Sequence, residues 1–243
     1  MILDHLSASG VHLYNQCPLA FFTKYRDKTF TDETNDTYAK YGTLVHGVLE
    51  NIANGEYMFL EEAIREYVKG FPDCGLTDDM KLNYYKQGRQ LIEERWEELN
   101  ELDIVGAEVN FKVQPFEEVP NLVGFIDLVY RDEKGRLIVR DYKTSKKYTK
   151  TQMGKQWQPY FYSVACKEIF GEYPYKFEFD FVRFNEKNSI LITENFIKMG
   201  NIVLSGIVKK IEQDLMEANY SPFYCTNFCS CRSICPLYNA KKG

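Results

Sequence analysis

The sequence predicts an α/β (α+β) fold: a central mixed β-sheet flanked by helices, with a helical N-terminal part and a cysteine cluster at the C-terminal end. Three observations carry this. Apolar residues recur at helical spacing before residue 100, with Leu44, Val48, Leu49 and Ile52 on one face. From residue 104 the chain changes to runs rich in Val, Ile and aromatics, the composition of strands. A helical stretch then interrupts these runs, and a long amphipathic helix follows them. The 243 residues suffice for one large domain, the 44% hydrophobic content can fill its core, and 27% charged residues argue against wholesale disorder. We read residues 1–243 as a single domain: a mostly helical part to 100, a core over 101–196, and a helix and cluster cap over 197–243.

The elements follow in order. Residues 9–25, "SGVHLYNQCPLAFFTKY", read as a short helix, a turn at Cys17–Pro18 and a second helical piece. The polar run 29–37 reads as a loop. Helices are expected at 38–53, 59–69 and 78–99, with "KGFPDCG" breaking the last two apart. Strands are expected at 104–113, 122–130 and 136–143, and a helix at 152–170. "YKFEFDFVRF", 175–184, alternates strictly and reads as a half-exposed strand, with 189–196 as its partner. Residues 197–217 read as the long helix, with Leu204, Ile207, Ile211 and Leu215 in register.

The chemistry concentrates in "LIVRDYKTSKK", residues 137–147. Side chains alternate along a strand, so Asp141 and Lys143 share a face. The charged, glycine-bearing "RDEKGR" between two apolar runs signals a hairpin. If that hairpin is symmetric about Lys134, Asp127 lies opposite Asp141. Two facing carboxylates repel unless one is protonated or a cation sits between them. Mg²⁺ takes one or two carboxylates plus phosphate and water oxygens, and a neighbouring lysine suits a phosphate. Acid, acid and lysine thus make a candidate metal-dependent phosphodiester-cleaving centre. Alone, an Asp-x-Lys reads as a surface ion pair; Asp127 at this spacing shifts the balance.

The formal net charge of −5 argues mildly against bulk polyanion binding. No stretch is long and apolar enough to suggest a membrane span, and the start lacks a signal-peptide pattern, so we expect a cytoplasmic protein without a membrane partner. Its cysteines are then expected to be reduced, and "CTNFCSCRSICP" (Cys225, Cys229, Cys231, Cys235) points to metal. Zinc and iron–sulfur clusters both take four thiolates, and spacing alone does not separate them.

In their order, "YGTLVHGVLE", "GFIDLVY", "IVRDYKTSKK" and "QWQPYFYSVA" resemble the PD-(D/E)XK nuclease superfamily in its RecB/AddB-type branch, which includes iron–sulfur CRISPR-associated exonucleases. The resemblance runs from about Ser7 to Cys235 and implies a restriction-endonuclease-like core. It implies that His46, Asp127 and Asp141 bind Mg²⁺ or Mn²⁺, with the Tyr142 carbonyl as a further ligand. It gives Lys143 a catalytic role and places Gln158 and Tyr162 in the site or against nucleic acid. The acid before the lysine is Asp here, where the branch often has Glu. The "SASGVHLYNQCP" and "CRSICP" contexts imply a [4Fe–4S] cluster on Cys17, Cys225, Cys229 and Cys235. The gap between Cys225 and Cys229 is one residue longer than usual, and Cys231 could replace a neighbour. Cys74 and Cys166 are expected to be buried apolar residues.

Read without the family, His46 is a core histidine, and Gln158 and Tyr162 share a helix face between core and surface. Glu108 reads equally as an acid supporting the metal ligands or as structural. The run Arg140, Lys143, Lys146, Lys147, Lys150 and Lys155 suggests phosphate tracking, and Tyr148, Trp157 and Tyr160 could stack bases. The expected partner is DNA, single-stranded or at duplex ends, with protein partners in recombination or CRISPR machinery. A non-catalytic nucleic-acid-binding module and a zinc-stabilised structural protein are the alternatives.

Overall fold

The computed structural model describes residues 3–29 and 36–241. A three-residue strand, β1 (His5–Ser7), precedes the expected helix pair, α1 (Ala8–Gln16) and α2 (Pro18–Tyr25). Ser7 caps α1 by accepting the Gly10 N–H at 3.1 Å. Cys17 breaks the pair in extended backbone, and Pro18 opens α2 where its missing N–H is harmless. Residues 30–35 of the expected loop lie outside the described residues. Then come α3 (Thr37–Ala53), α4 (Leu60–Gly70) and α5 (Asp78–Glu101). A single 3-10 turn, Phe71–Cys74, separates α4 from α5 and ends at Gly75 in the left-handed region.

The sheet has six strands: β1, then β2 (Asp103–Val113), β3 (Asn121–Arg131), β4 (Leu137–Tyr142), β5 (Lys176–Phe181) and β6 (Glu186–Leu191). Neighbouring pairs β2–β3, β3–β4 and β5–β6 are antiparallel; β4–β5 and β1–β3 are parallel. The β3–β4 register, Leu128 opposite Arg140 and Arg131 opposite Leu137, is symmetric about Lys134 as the hairpin reading supposed. Since β2 covers one edge of β3, β1 and β4 share the other. β1 lies along Asn121–Val123 and β4 along Leu128–Arg131. Among the described residues no strand pairs with Gly124–Asp127 on that edge.

Between β4 and β5 the expected single helix is two: α6 (Lys150–Met153) and α7 (Gln158–Phe170). Pro159 explains the break. It has no N–H to give a preceding carbonyl, so it sits in the first turn of a new helix. α8 (Glu194–Glu212) starts at a Thr193 cap, so β6 ends earlier than the 189–196 reading and Leu215 falls beyond the helix, exposed. Two short helices, α9 (Pro222–Asn227) and α10 (Pro236–Ala240), carry the cysteine tail.

Helices cover both faces of the sheet. On one, α1, α2, α7 and α8 pack against Ile126, Val139, Phe177, Phe179 and Phe181. On the other, α3, α4 and α5 pack against Leu128, Tyr130, Ile138 and Tyr142. Each fully buried phenylalanine contributes about 1.5–3 kcal/mol. β5 corrects the sequence reading: it is an interior strand, buried on both faces, and its alternating acids face protein. Glu178 meets Arg140 at 3.0 Å and the Tyr130 hydroxyl at 2.8 Å. Asp180 takes two hydrogen bonds from Arg95, at 2.9 and 2.7 Å. Glu98 from α5 meets Arg140 at 2.8 Å and also pairs with Lys187. A buried carboxylate is tolerable only when paired in this way.

Candidate active site and cysteine cluster

Asp127 lies on the stretch of β3 that neither β1 nor β4 covers. Its carboxylate takes over part of the missing pairing, with Oδ2 accepting the Tyr142 N–H at 2.7 Å. Burial and then the charge of Asp141 push its pKa well above the usual carboxylate range, against the opposing effects of Lys143 and the Tyr142 N–H. From α3, His46 brings Nδ1 to 3.4 Å from Asp127 Oδ2, with its ring edge-on to Tyr142. Burial lowers the pKa of His46, against the pull of Asp141, which favours a neutral imidazole.

Glu108 comes from β2. Its neighbours pair Ala107 with Leu128 and Val109 with Ile126, so it stands across from Asp127. Its φ of 46° is left-handed, rare for a side-chain-bearing residue inside a strand. Ligand-competent atoms of His46, Glu108 and Asp127 all lie within 4.8 Å of one another. Burial, with Glu50 and Asp141, raises the pKa of Glu108.

Asp141, at the end of β4, is 3% exposed, and Lys143 Nζ lies 2.5 Å from its Oδ2. The Lys143 N–H donates to the Asp180 carbonyl at 2.7 Å, which carries the β4–β5 ladder one residue further and fixes where the ammonium starts. Burial works to lower the Lys143 pKa, yet Asp141 outweighs it and the net shift is upward. Burial, and then the charges of Asp141, Asp127 and Glu108, raise the pKa of the Tyr162 hydroxyl. Four acids, Asp127, Asp141, Glu108 and Glu50, thus face one lysine and a neutral imidazole. Protons make up the balance unless a cation does. Carboxylate oxygens with one imidazole can hold a divalent cation.

A cavity of about 380 Å³ opens beside this group, lined by Gly42, His46, Gly47, Glu50, Glu108 and Thr144 among others. The sequence reading did not single out Glu50. Its signal is position: it follows His46 by one helical turn on the same face.

Other expected residues fall as follows. Gln158 is the first residue of α7, half-buried, one turn before Tyr162. Lys146, Lys147 and Lys150 are exposed, with Lys147 paired to Glu186 at 2.5 Å. Arg140 is a correction: it is buried in the ion-pair network and faces no ligand. Tyr160 is core as well, its hydroxyl bonded to Asn201 at 2.7 Å. Tyr148 is half-buried against Phe179 and Phe181.

The fold brings Cys17 to the tail. Cys17, Cys229, Cys231 and Cys235 are buried together with Leu19 and Ala20, and the Leu19 N–H donates to the Glu217 carbonyl at 3.0 Å. Cys225 is buried nearby on α9. The Tyr224 hydroxyl is held protonated by burial and by the sulfurs of Cys229, Cys231, Cys17 and Cys225. Cys229 and Cys231 Sγ approach to 3.3 Å, yet no three of the five sulfurs lie within 4.8 Å of one another among the described residues. Cys74 and Cys166 are buried in the cores on opposite faces of the sheet.

A family model described as the PD-(D/E)XK nuclease superfamily matches residues 5–236. Among curated proteins, none matches. A solved structure of a presumed exonuclease from Eubacterium rectale superposes at TM-score 0.56, with 15% identity, over 98% of this chain and 88% of that one. Another, named SSO0001, superposes at TM-score 0.45, with 11% identity, over 97% and 87%. The first shares this fold of a mixed sheet between helices. No helix among the described residues is long and apolar enough to cross a membrane.

Proposed function

Because the chain belongs to the PD-(D/E)XK nuclease superfamily, we propose that it is a Mg²⁺- or Mn²⁺-dependent deoxyribonuclease of the RecB/AddB-type branch. It acts as an exonuclease on single-stranded or end-exposed DNA. The observation that carries the reading is the convergence of His46, Glu108 and Asp127 beside the Asp141–Lys143 pair.

In this reading His46, Asp127 and Asp141 hold the metal, with the Tyr142 carbonyl and Glu108 at its margin. A divalent cation bound there supplies Lewis-acid charge and an acidified water for in-line attack on phosphorus. The chain supplies the rest. The Tyr142 N–H fixes one oxygen of Asp127. Tyr162, on α7, stands in the field of Asp141 and Asp127 with its hydroxyl kept protonated. Lys143, kept charged by Asp141, stabilises negative charge on the phosphate as the bond breaks. Gln158 touches the nucleic acid, and Lys146, Lys147 and Lys150 track its phosphates.

Cys17, Cys225, Cys229 and Cys235 hold a [4Fe–4S] cluster, with Cys231 as the spare thiol. The cluster staples residue 17 to the tail, and the whole works as one nuclease domain in recombination, repair, phage replication or CRISPR adaptation.

The test is cleavage of end-labelled DNA by anaerobically purified protein. We expect Mn²⁺-dependent release of short products, lowered about 10²–10³-fold in Lys143→Ala, from a brown protein absorbing near 400 nm. Binding without cutting would make it a binding module; a colourless protein with stoichiometric zinc would remove the cluster.

A further inference from the structure

A second cavity, of about 550 Å³, lies between α1, the turn joining α6 to α7, and α8. That volume is in the range of small-ligand sites. Trp157, Tyr160, Phe196 and Met199 give it apolar walls. Asn15, Gln16, Gln156 and Lys155 give it hydrogen-bonding edges, and no acid lines it. Its floor is built closely. A Cβ at Gly200 would stand 2.1 Å from the Tyr160 ring, so only glycine lets α8 lie there, and the Tyr160 hydroxyl is pinned to Asn201. At the rim α8 leaves Met199 50% and Val203 45% exposed.

Charge indicates what fills it. Residues 143–158 carry five lysines (143, 146, 147, 150 and 155) and no acid, in a chain of net charge −5. Lys146, Lys150 and Lys155 are exposed. This segment starts at the Asp141–Lys143 pair and ends at Trp157. It then enters α7, which carries Tyr162. The segment that joins Lys143 to the aromatic cavity is thus basic along its length.

We propose that this cavity takes an unstacked nucleobase of the strand held at the nuclease site, an inference that rests on the nuclease reading. The base lies against Trp157 and Met199, its edge meets Asn15, Gln16 or Gln156, and Lys155 meets the adjoining phosphate. Stacking on an aromatic ring is tolerant of sequence, and a paired duplex cannot offer a base without unpairing it. The cavity therefore selects single strands and frayed ends. A base could also come as a free mononucleotide, and the test separates the two.

The chain has two tryptophans, Trp96 and Trp157, and Trp96 lies on α5 across the sheet. In a Trp96→Phe protein, with Ca²⁺ in place of Mn²⁺, a short single-stranded oligonucleotide should quench Trp157 fluorescence saturably. A blunt duplex should not. Met199→Glu, at an exposed rim position, should weaken oligonucleotide binding about tenfold, and Lys155→Glu should weaken it with a reduced salt dependence. No quenching, or unchanged affinity in both variants, would overturn the proposal. So would quenching by thymidine monophosphate without quenching by the oligonucleotide. A change in sedimentation in Met199→Glu with DNA binding intact would assign the face to a second copy and overturn it too. Lys143-dependent cleavage without quenching defeats the base site alone; quenching without any cleavage defeats the nuclease reading and leaves the base site standing.

Discussion

Glu108 adopts a left-handed φ of 46° inside a strand, a conformation that side-chain-bearing residues hold at a cost of about 1–3 kcal/mol. The kink turns its carboxylate toward His46 and Asp127. Glu108→Gly should relax the backbone and raise the melting temperature of the metal-free protein by an amount equivalent to about 1 kcal/mol, while weakening Mn²⁺ binding in calorimetry. Lys143→Ala should lower Mn²⁺-dependent cleavage by about 10²–10³-fold, the scale of losing a charge-stabilising donor, with far-ultraviolet circular dichroism retained. The protonation states set a pH dependence. Asp127 has a raised pKa in the fold, so its contribution to stability is complete below its unfolded value and is lost as pH rises through the folded one. His46 has a lowered pKa, so its contribution is present above the unfolded value and lost as pH falls through the folded one. Both must be without protons to take a cation. Mn²⁺ should therefore raise the melting temperature more at pH 8 than at pH 6, with affinity gaining up to about tenfold per pH unit for each proton displaced.

At the level of elements, β5 and α5 are tied by charge rather than by grease. Arg95 on α5 and Arg140 on β4 are each 2% exposed and reach Asp180, Glu178 and Glu98. Removing one partner strands a buried charge. Arg95→Ala should destabilise the protein by about 3–5 kcal/mol in urea unfolding. Lys147→Ala, which breaks a half-exposed pair with Glu186, should change it by less than about 1 kcal/mol. The contrast explains how "FEFDF" misleads. Alternation shows which residues share a face, but water and a buried arginine both accept an acid, and the arginines come from residues 95 and 140. Arg140 misleads in the same way. The break between α6 and α7, by comparison, is written locally in Pro159, which the helical period at 152–170 obscures.

Over the whole molecule, the β3–β4 hairpin symmetric about Lys134 was legible because its register follows from strand period and one charged turn, although its ladder stops at Leu128 and Arg140, one pair short of Asp127 and Asp141. Glu50 and the kink at Glu108 were not, since they depend on how α3 and β2 meet β3, and β1 is too short to show a period. Cys17 is buried with Cys229, Cys231 and Cys235, which needs only the ends of the chain to meet, while Cys225 stands outside that buried group. If the cluster forms, it closes a loop of most of the sequence, and a cross-link of that span is worth about 4–5 kcal/mol by loop closure. Cys17→Ser should accordingly lower the melting temperature and open the tail after residue 213 to limited proteolysis. The interruption along β3 carries one more consequence. Successive amides of a strand point to opposite edges, so one of Gly124 and Phe125 turns its N–H to that open edge, whereas Val129 and Tyr130 are flanked on both sides. Deuterium should thus enter that one amide well before those of Val129 and Tyr130. The seam through which solvent reaches the interior would then coincide with the place where a backbone of DNA must be admitted, and occupancy by a substrate should close it.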